Sequence, residues 1–485
     1  MASSPGDTRT AAAGGERQPS AVEWLARMAA RELSARELAE HYLERVQDAN
    51  TNLNALAAFD PDATRSAADE ADRARARGDM RPLLGLPVTV KDSLEVAGLP
   101  ATGGSLARAG YVPDRDATVV HRLREAGAIV LAKTNLPEYS SSYETDNLVY
   151  GRTAHPLDPE RTPGGSSGGE AALAGADASP LGVGTDGGGS IRVPAHYCGV
   201  FGLRPTIGRV PVTGNWPATR ASGYMDMYCV GPLARYVEDL ELLLPLMVGP
   251  DGVDPYAVPA PLKMKPPDRG KLKVGWFVES PAVSATAGTE AAVKQAVSSF
   301  ENAGAAVRKV EPPWEPNPTE LFMTAVVADG GAQARADVAA ARGRHHPQFR
   351  DFLDAAAERA LSAEQWFAVQ RDILELRAAV RGLFASLDIL VCPVVAGPAP
   401  RHGEPPAGLP QGEYARYRAF DYVHLIAIAG LPAASVPVAR EDGLPIGVQV
   451  AGPPFREDLV LSAAAGLESA ICAAALSATT GGDRR

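Results

Sequence analysis

Basic runs are missing from this 485-residue chain: acidic residues outnumber basic ones, the formal net charge is −11, and no segment clusters lysine or arginine. Such a surface gives no electrostatic footprint for a phosphate backbone or an anionic bilayer, so nucleic acid and membranes are set aside as partners. Cysteine is scarce. Cys198, Cys229, Cys392 and Cys472 are scattered without a C-x-x-C pair, which argues against a disulfide framework or a zinc site and for free thiols in a reducing compartment. Of the eight histidines none forms an H-E-x-x-H motif, and the one adjacent pair, His345-His346, stands beside Pro347 in a polar stretch that reads as solvated surface. No metal and no cofactor is expected. Long apolar runs are also lacking. The first 19 residues have no apolar core of the kind a secretion signal needs and read as a flexible tail. The longest uncharged run, Tyr422–Ala439, contains Gly430, Pro432 and Pro437, which fits a helix, a turn and a buried strand better than a membrane span. A cytoplasmic protein is expected, and a homodimer is compatible with the composition.

What is present is ordinary globular material, 45% hydrophobic and 22% charged, enough for a sizeable core. Ser34 followed by Glu37 predicts a capping box, with Leu38, Tyr42, Leu43 and Val46 at helical spacing behind it. A polar, Ala-rich helix is predicted over Asp62–Arg77, a short buried strand over Leu86–Val90, a helix over Thr118–Glu125 and a strand over Ala128–Leu131. Later come a helix over Val237–Leu244 that Pro245 should end, strands at Leu272–Phe277 and Ala306–Val310 around a helix starting near Thr289, and strands at Leu387–Cys392, Ala434–Val438 and Ile446–Val450. No repeat of fixed period is visible. The alternation predicts an α/β fold: a single large domain over residues 20–478, with a central mixed sheet surrounded by helices, a peripheral helical region near 318–386, and a flexible tail over 479–485.

Three features carry chemistry: Lys91 at the end of the apolar Leu86–Val90 segment, the loop PGGSSGG at Pro163–Gly169, and GTDGGGSIR at Gly184–Arg192. Hydrolysis of an acyl C–N bond needs a nucleophile, a base that also protonates the departing nitrogen, and donors for the oxyanion. Gly187, Gly188 and Gly189 before Ser190 suit the last need, because backbone without side chains can turn several N–H groups toward one point. A lysine serves as base only when burial keeps it neutral. Two other patterns compete. Gly164-Gly165-Ser166-Ser167-Gly168 fits the G-x-S-x-G elbow of α/β-hydrolases, with His424 or His402 as partner, yet the elbow needs a strand before it and LDPERTPGG is a polar loop. Gly182–Gly187 fits the G-x-G-x-x-G dinucleotide fingerprint, but Pro194 should interrupt the helix that must follow.

TPGGSSGGEAAL followed by GTDGGGSIRVPAHYCGVFGLRPTIGRVP resembles the defining signature of the amidase signature family. LLGLPVTVKD, KTNLPE at Lys133–Glu138, GPLARYVEDL at Gly231–Leu240, GLPAASVPV and GLPIGVQVAGPPF extend the likeness over most of the chain. The resemblance implies a metal-independent Ser-(cis)Ser-Lys set: Ser190 as nucleophile, Ser166 as the bridging serine after a cis peptide, and Lys91 as base. Backbone N–H groups from Gly187, Gly188, Gly189 and Ser190 would form the oxyanion hole. The 24-residue separation of the two serines agrees with the family pattern. Ser167 is expected to support by hydrogen bonding, and Asp186 and Arg192 to pair structurally. Gly187 departs from the family, where a bulkier residue is common, which would loosen the oxyanion loop. Within the family the chain resembles the metagenomic urethanases that act on polyurethane carbamates, which implies a small, aryl-bearing carbamate or amide substrate. A general aliphatic or aryl amidase, an amidotransferase subunit that releases ammonia from an amide, and a non-catalytic binding protein are the alternatives. Substrate loops are expected at Asn215–Met227 and Pro398–Gly412.

Overall fold

Ser20 and Ser34 start two helices by the same device. Each hydroxyl accepts the backbone N–H three residues on, and Glu23 or Glu37 at that position returns a bond to the cap N–H, satisfying two of the donors a helix start leaves open. These boxes open α1 (Ala21–Ala29) and α2 (Ala35–Leu53). For α3 (Pro61–Ala76) Asp60 caps by accepting the Ala63 N–H, and Pro61 takes the first helical position. The structure is a computed structural model that describes residues 18–217, 223, 226–263, 268–406, 409 and 419–480.

The strands are β1 (Leu56–Ala58), β2 (Pro87–Lys91), β3 (Ile129–Thr134), β4 (Leu181–Asp186), β5 (Phe201–Arg204), β6 (Cys229–Ala234), β7 (Lys273–Trp276), β8 (Ala306–Lys309), β9 (Ile389–Pro393), β10 (Ala433–Glu441) and β11 (Leu444–Ala451). Among the described residues all lie in one eleven-stranded sheet, ordered β1-β3-β2-β4-β6-β5-β10-β11-β9-β7-β8. β2 runs parallel to both β3 and β4, whereas β6, β5, β10 and β11 pair antiparallel. The fold is thus a single α/β domain around a mixed sheet. Strands β2 and β4 are buried along their whole length, as expected of a sheet covered on both faces. Because they are parallel neighbours in register at Thr89–Gly182 and Val90–Val183, their carboxyl ends emerge at the same edge. That edge carries Lys91 on one strand and the Gly187–Ser190 loop on the other.

Helix α4 (Thr118–Glu125) leads into β3, and α5 (Gly168–Gly175) and α6 (Arg192–Cys198) flank β4. Helices Pro318–Val326, Ala332–Asp337, Pro347–Ala357 and Ala363–Gly382 lie between β8 and β9. The Tyr422–Ala439 run is a buried helix, Asp421–Ala429, followed by β10. No helix among the described residues is long and apolar enough to cross a membrane.

Four expectations change. The helix predicted to stop at Pro245 continues from Val237 to Met247, because in the last turn a missing N–H costs one end bond while Leu244 and Met247 remain buried. Pro194 does not interrupt α6 but sits in its first turn, where proline is tolerated. Gln18 and Pro19, assigned to the N-terminal tail, are docked: their carbonyls accept bonds from Tyr236 and Arg235. At the other end residues 479–480 continue the helix Glu457–Thr480. The rest of both tails lies outside the described residues, as do 218–222, 224–225, 407–408 and 410–412 of the two expected substrate loops.

Candidate active site

Lys91 closes β2 with no solvent exposure. Its Nζ lies 2.6 Å from Ser166 Oγ and 2.7 Å from Thr185 Oγ1. Burial drives the amine's pKa down to about 7, against the pull of Asp186 and Glu170. Such a lysine is substantially neutral near neutral pH and can accept a proton. The neighbouring carboxyl supplies little opposing charge. Glu170 on α5 is buried between the Thr89 and Thr134 hydroxyls, at 2.6 and 2.7 Å, and burial raises its pKa to about 8.

Ser166 follows a cis Gly165–Ser166 peptide. A Cβ at Gly165 would come within 2.6 Å of the Ser142 carbonyl oxygen, so only glycine fits. The next residue ties the two serine loops together: Ser167 N–H donates to the Ser190 carbonyl at 3.1 Å, and its hydroxyl lies 3.3 Å from the Thr185 carbonyl.

The 187–190 loop hangs on Asp186. That carboxylate takes two bonds from the Arg192 guanidinium and one from Arg204, each at 2.9 Å, with all three residues fully buried. Burial alone would raise the Asp186 pKa, but Arg192 and Arg204 overcome it and hold the carboxyl well below the usual carboxylate range. Asp186 also accepts the Gly189 N–H at 2.8 Å. The Gly189 N–H, expected among the oxyanion donors, is thus bonded to Asp186 here. Among the described residues none accepts from the N–H groups of Gly187, Gly188 or Ser190. The loop is not loose despite Gly187, since Tyr143 Oη donates to the Gly188 carbonyl at 2.5 Å.

Ser190 is half-buried and opens with Gly187 and Gly188 into a cleft walled by Tyr139, Tyr143, Tyr228, Phe322, Met323 and Phe352. Pro217, from the first expected substrate loop, also lines it. A second hollow shares Ser142, Tyr143, Met323 and Phe352 and reaches Pro400, Glu404 and Pro406 of the other.

Neither histidine proposed as an elbow partner contacts a serine of these loops. His424 Nε2 faces Tyr143 Oη at 2.7 Å and Nδ1 faces Thr319 Oγ1 at 2.8 Å, while burial and then Arg192 push its pKa to about 3. His402 is bound to Glu144 at 2.8 Å. His345 and His346 are not solvated surface. They are largely buried against Glu138 and Asp146, at 3.0 and 3.4 Å. Thr185, Glu170 and Tyr143 were not foreseen. Thr185 had no clear signal, for continuing the Thr89–Gly182 and Val90–Val183 register puts Gly184, not Thr185, opposite Lys91. Tyr143, inside SSSYET, had none.

Residues 37–461 match the amidase family. The chain is 34% identical to a glutamyl-tRNA(Gln) amidotransferase subunit of Thermus thermophilus, over 95% of its own length and 99% of that protein's. It is 33% identical to indoleacetamide hydrolase of Bradyrhizobium diazoefficiens, over 93% and 86%. Its fold superposes on a bacterial aryl acylamidase of the amidase signature enzymes with a TM-score of 0.83, at 25% identity, covering 94% of this chain and 98% of the other. With the signature segments, the mixed sheet and this full-length likeness together, the chain belongs to the amidase family.

Proposed function

We propose that this enzyme hydrolyses carbamate (urethane) and amide bonds of small, aryl-bearing substrates, with Ser190 as nucleophile, Ser166 as proton relay and Lys91 as base. The observation that carries the reading is the 2.6 Å contact between Ser166 Oγ and a fully buried Lys91 amine whose pKa burial has brought to about 7. The aromatic walls of the cleft around Ser190 support an aryl substrate.

The steps follow from these groups. Ser190 Oγ attacks the carbonyl carbon; its proton passes to Ser166 as Ser166 gives its own to neutral Lys91. The N–H groups of Gly187, Gly188 and Ser190 face the resulting oxyanion, each donor being worth about 3 kcal/mol or more in comparable sites. The proton on Lys91 returns through Ser166 to the leaving nitrogen, and the C–N bond breaks with its electron pair on the amine. Water then attacks, by the reverse relay, the acyl-enzyme left by an amide or the alkoxycarbonyl-enzyme left by a carbamate, a carbamoyl-enzyme forming only if the alcohol leaves first. A carbamate also offers a C–O bond, and product analysis decides which of the two breaks first.

The test is turnover of an amide, an ester and a carbamate built on one aryl amine, with Ser190→Ala as the control. Release of the amine from the carbamate by the wild type, and its loss in a folded Ser190→Ala, is the expected result. Hydrolysis of the amide alone would reduce the reading to a general amidase. Full activity of Ser190→Ala would remove it. The likeness to the glutamyl-tRNA(Gln) amidotransferase subunit supports a second reading, in which the chain releases ammonia from an amide inside a larger assembly. Turnover of an aryl amide by the purified chain alone favours the first. Activity on glutamine that appears only with added partner proteins favours the second.

A further inference from the structure

We infer that Tyr143, held by His424, is a positioning residue that locks the oxyanion loop into its working conformation. The inference rests on the reading that Ser190 is the nucleophile.

The Gly188 carbonyl and the Gly189 N–H belong to one peptide group, and both ends of it are fastened. Tyr143 Oη donates to the carbonyl at 2.5 Å, and the N–H donates to Asp186 Oδ1 at 2.8 Å. A peptide plane held at both ends cannot rotate, and this one lies between the N–H groups of Gly188 and Ser190 that keep no partner among the described residues. Three successive glycines otherwise have the widest backbone freedom available, and Gly189 uses it, at φ 118. The lock therefore supplies the rigidity that the Gly187-Gly188-Gly189 sequence does not.

Tyr143 is itself fixed. Its ring stacks on Phe420 with centroids 3.7 Å apart, and its hydroxyl meets His424 Nε2 at 2.7 Å. His424 stacks on Phe322 at 4.4 Å and reaches Thr319 through its other nitrogen. The loop rests directly on this layer, since a Cβ at Gly188 would come within 2.6 Å of Phe322 Cζ and 3.0 Å of His424 Cδ2. His424 thus acts on the loop through Tyr143 without being a base.

Tyr143→Phe keeps the ring and its stack on Phe420 and removes one oxygen. Because loss of a whole oxyanion donor costs 10²–10³ in kcat, misplacing the donors should lower kcat by about tenfold or more with KM little changed. The affinity for an aryl trifluoromethyl ketone, whose adduct places an oxyanion in the same hole, should fall by the same factor, and the affinity for the aryl amine product should stay. Unchanged kcat and inhibitor affinity would overturn the inference, as would a rise in KM alone, which would make the hydroxyl a substrate contact. If Tyr143→Phe does not fold by circular dichroism, His424→Phe, which keeps the stack on Phe322 and removes the bond to Tyr143, should show a smaller loss on the same two readouts. Wild-type values there would equally overturn it. An inactive Ser190→Ala beside an unimpaired Tyr143→Phe removes only this inference, whereas an active Ser190→Ala removes the reading beneath it.

Discussion

A buried lysine beside a serine hydroxyl can take a proton only in the fraction of molecules where it is neutral. A free lysine, with a pKa near 10.4, would be almost wholly charged at about pH 7, while Lys91 is brought to about 7 by burial, against Asp186 and Glu170. The sign follows directly. Below that pKa the amine is protonated and inert as a base, above it neutral, so kcat/KM should rise with pH through about 7 and level off on the alkaline side. Lys91→Ala should lose about 10²-fold or more, and Lys91→Arg should not recover it because a guanidinium stays charged. A pH–rate profile of Lys91→Arg that overlies the wild type would sink the assignment. Lys91, Ser166 and Ser190 came together as a set only through the likeness to the family, and the contact of Lys91 with Ser166 was not readable from either segment alone. The commitment of the Gly189 N–H to Asp186 was not legible, since a run of glycines says that donors converge without saying on what. The histidines misled for a related reason. Polar neighbours in sequence made His345 and His346 look exposed, whereas Glu138 and Asp146, far upstream in the chain, bury them.

Strand β4, helix α6 and strand β5 meet at one buried charge cluster. Asp186 ends the first strand, Arg192 opens the helix and Arg204 ends the second strand, with side chains fully buried and contacts of 2.9 Å. Removing the carboxylate leaves two guanidiniums without their counter-charge in a dry site. Asp186→Asn should therefore cost about 3–5 kcal/mol of stability, the penalty typical of breaking a buried pair from one side, and urea unfolding would measure it. A loss under about 1 kcal/mol would show that the arginines find other partners. The same variant should lose activity through the Gly189 bond. Element positions were largely readable from periodicity and caps, as the Ser34–Glu37 box shows. Element ends were less so. β10 and β11 were expected at Ala434–Val438 and Ile446–Val450 but extend to Ala433–Glu441 and Leu444–Ala451. Arg440 and Glu441 break the apolar pattern there, yet Asp442-Gly443, both at positive φ, closes a two-residue hairpin of the kind such a pair favours. Pro194 and Pro245 were read as breakers because the sequence does not tell a first or last turn from a helix middle.

At the scale of the molecule, the site exists because the sheet brings distant segments to one edge. That β2 and β3 would be parallel neighbours could be argued from the alternation of strands and helices around Thr118–Glu125. The far half could not, because β5 pairs with β10 from far along the chain, Phe201–Arg204 with the Ala433–Ser435 segment, and no local pattern encodes that partner. The assembled edge also engages the polar groups around it. Carboxylates and histidines near it are spent on protein partners: Asp186 on two arginines, Glu170 on two threonines, His424 between Tyr143 and Thr319. Among the described residues no group of three or more His, Cys, Asp or Glu side chains is placed to hold a metal ion. The proposed roles of Ser190 as nucleophile and Lys91 as proton acceptor predict hydrolysis without a metal-activated water. Incubation with a strong chelator followed by desalting should leave kcat/KM within about twofold of the untreated enzyme at every pH of the profile. A loss of activity that added zinc restores would contradict this, and would place the attacking oxygen on a metal instead of on Ser190.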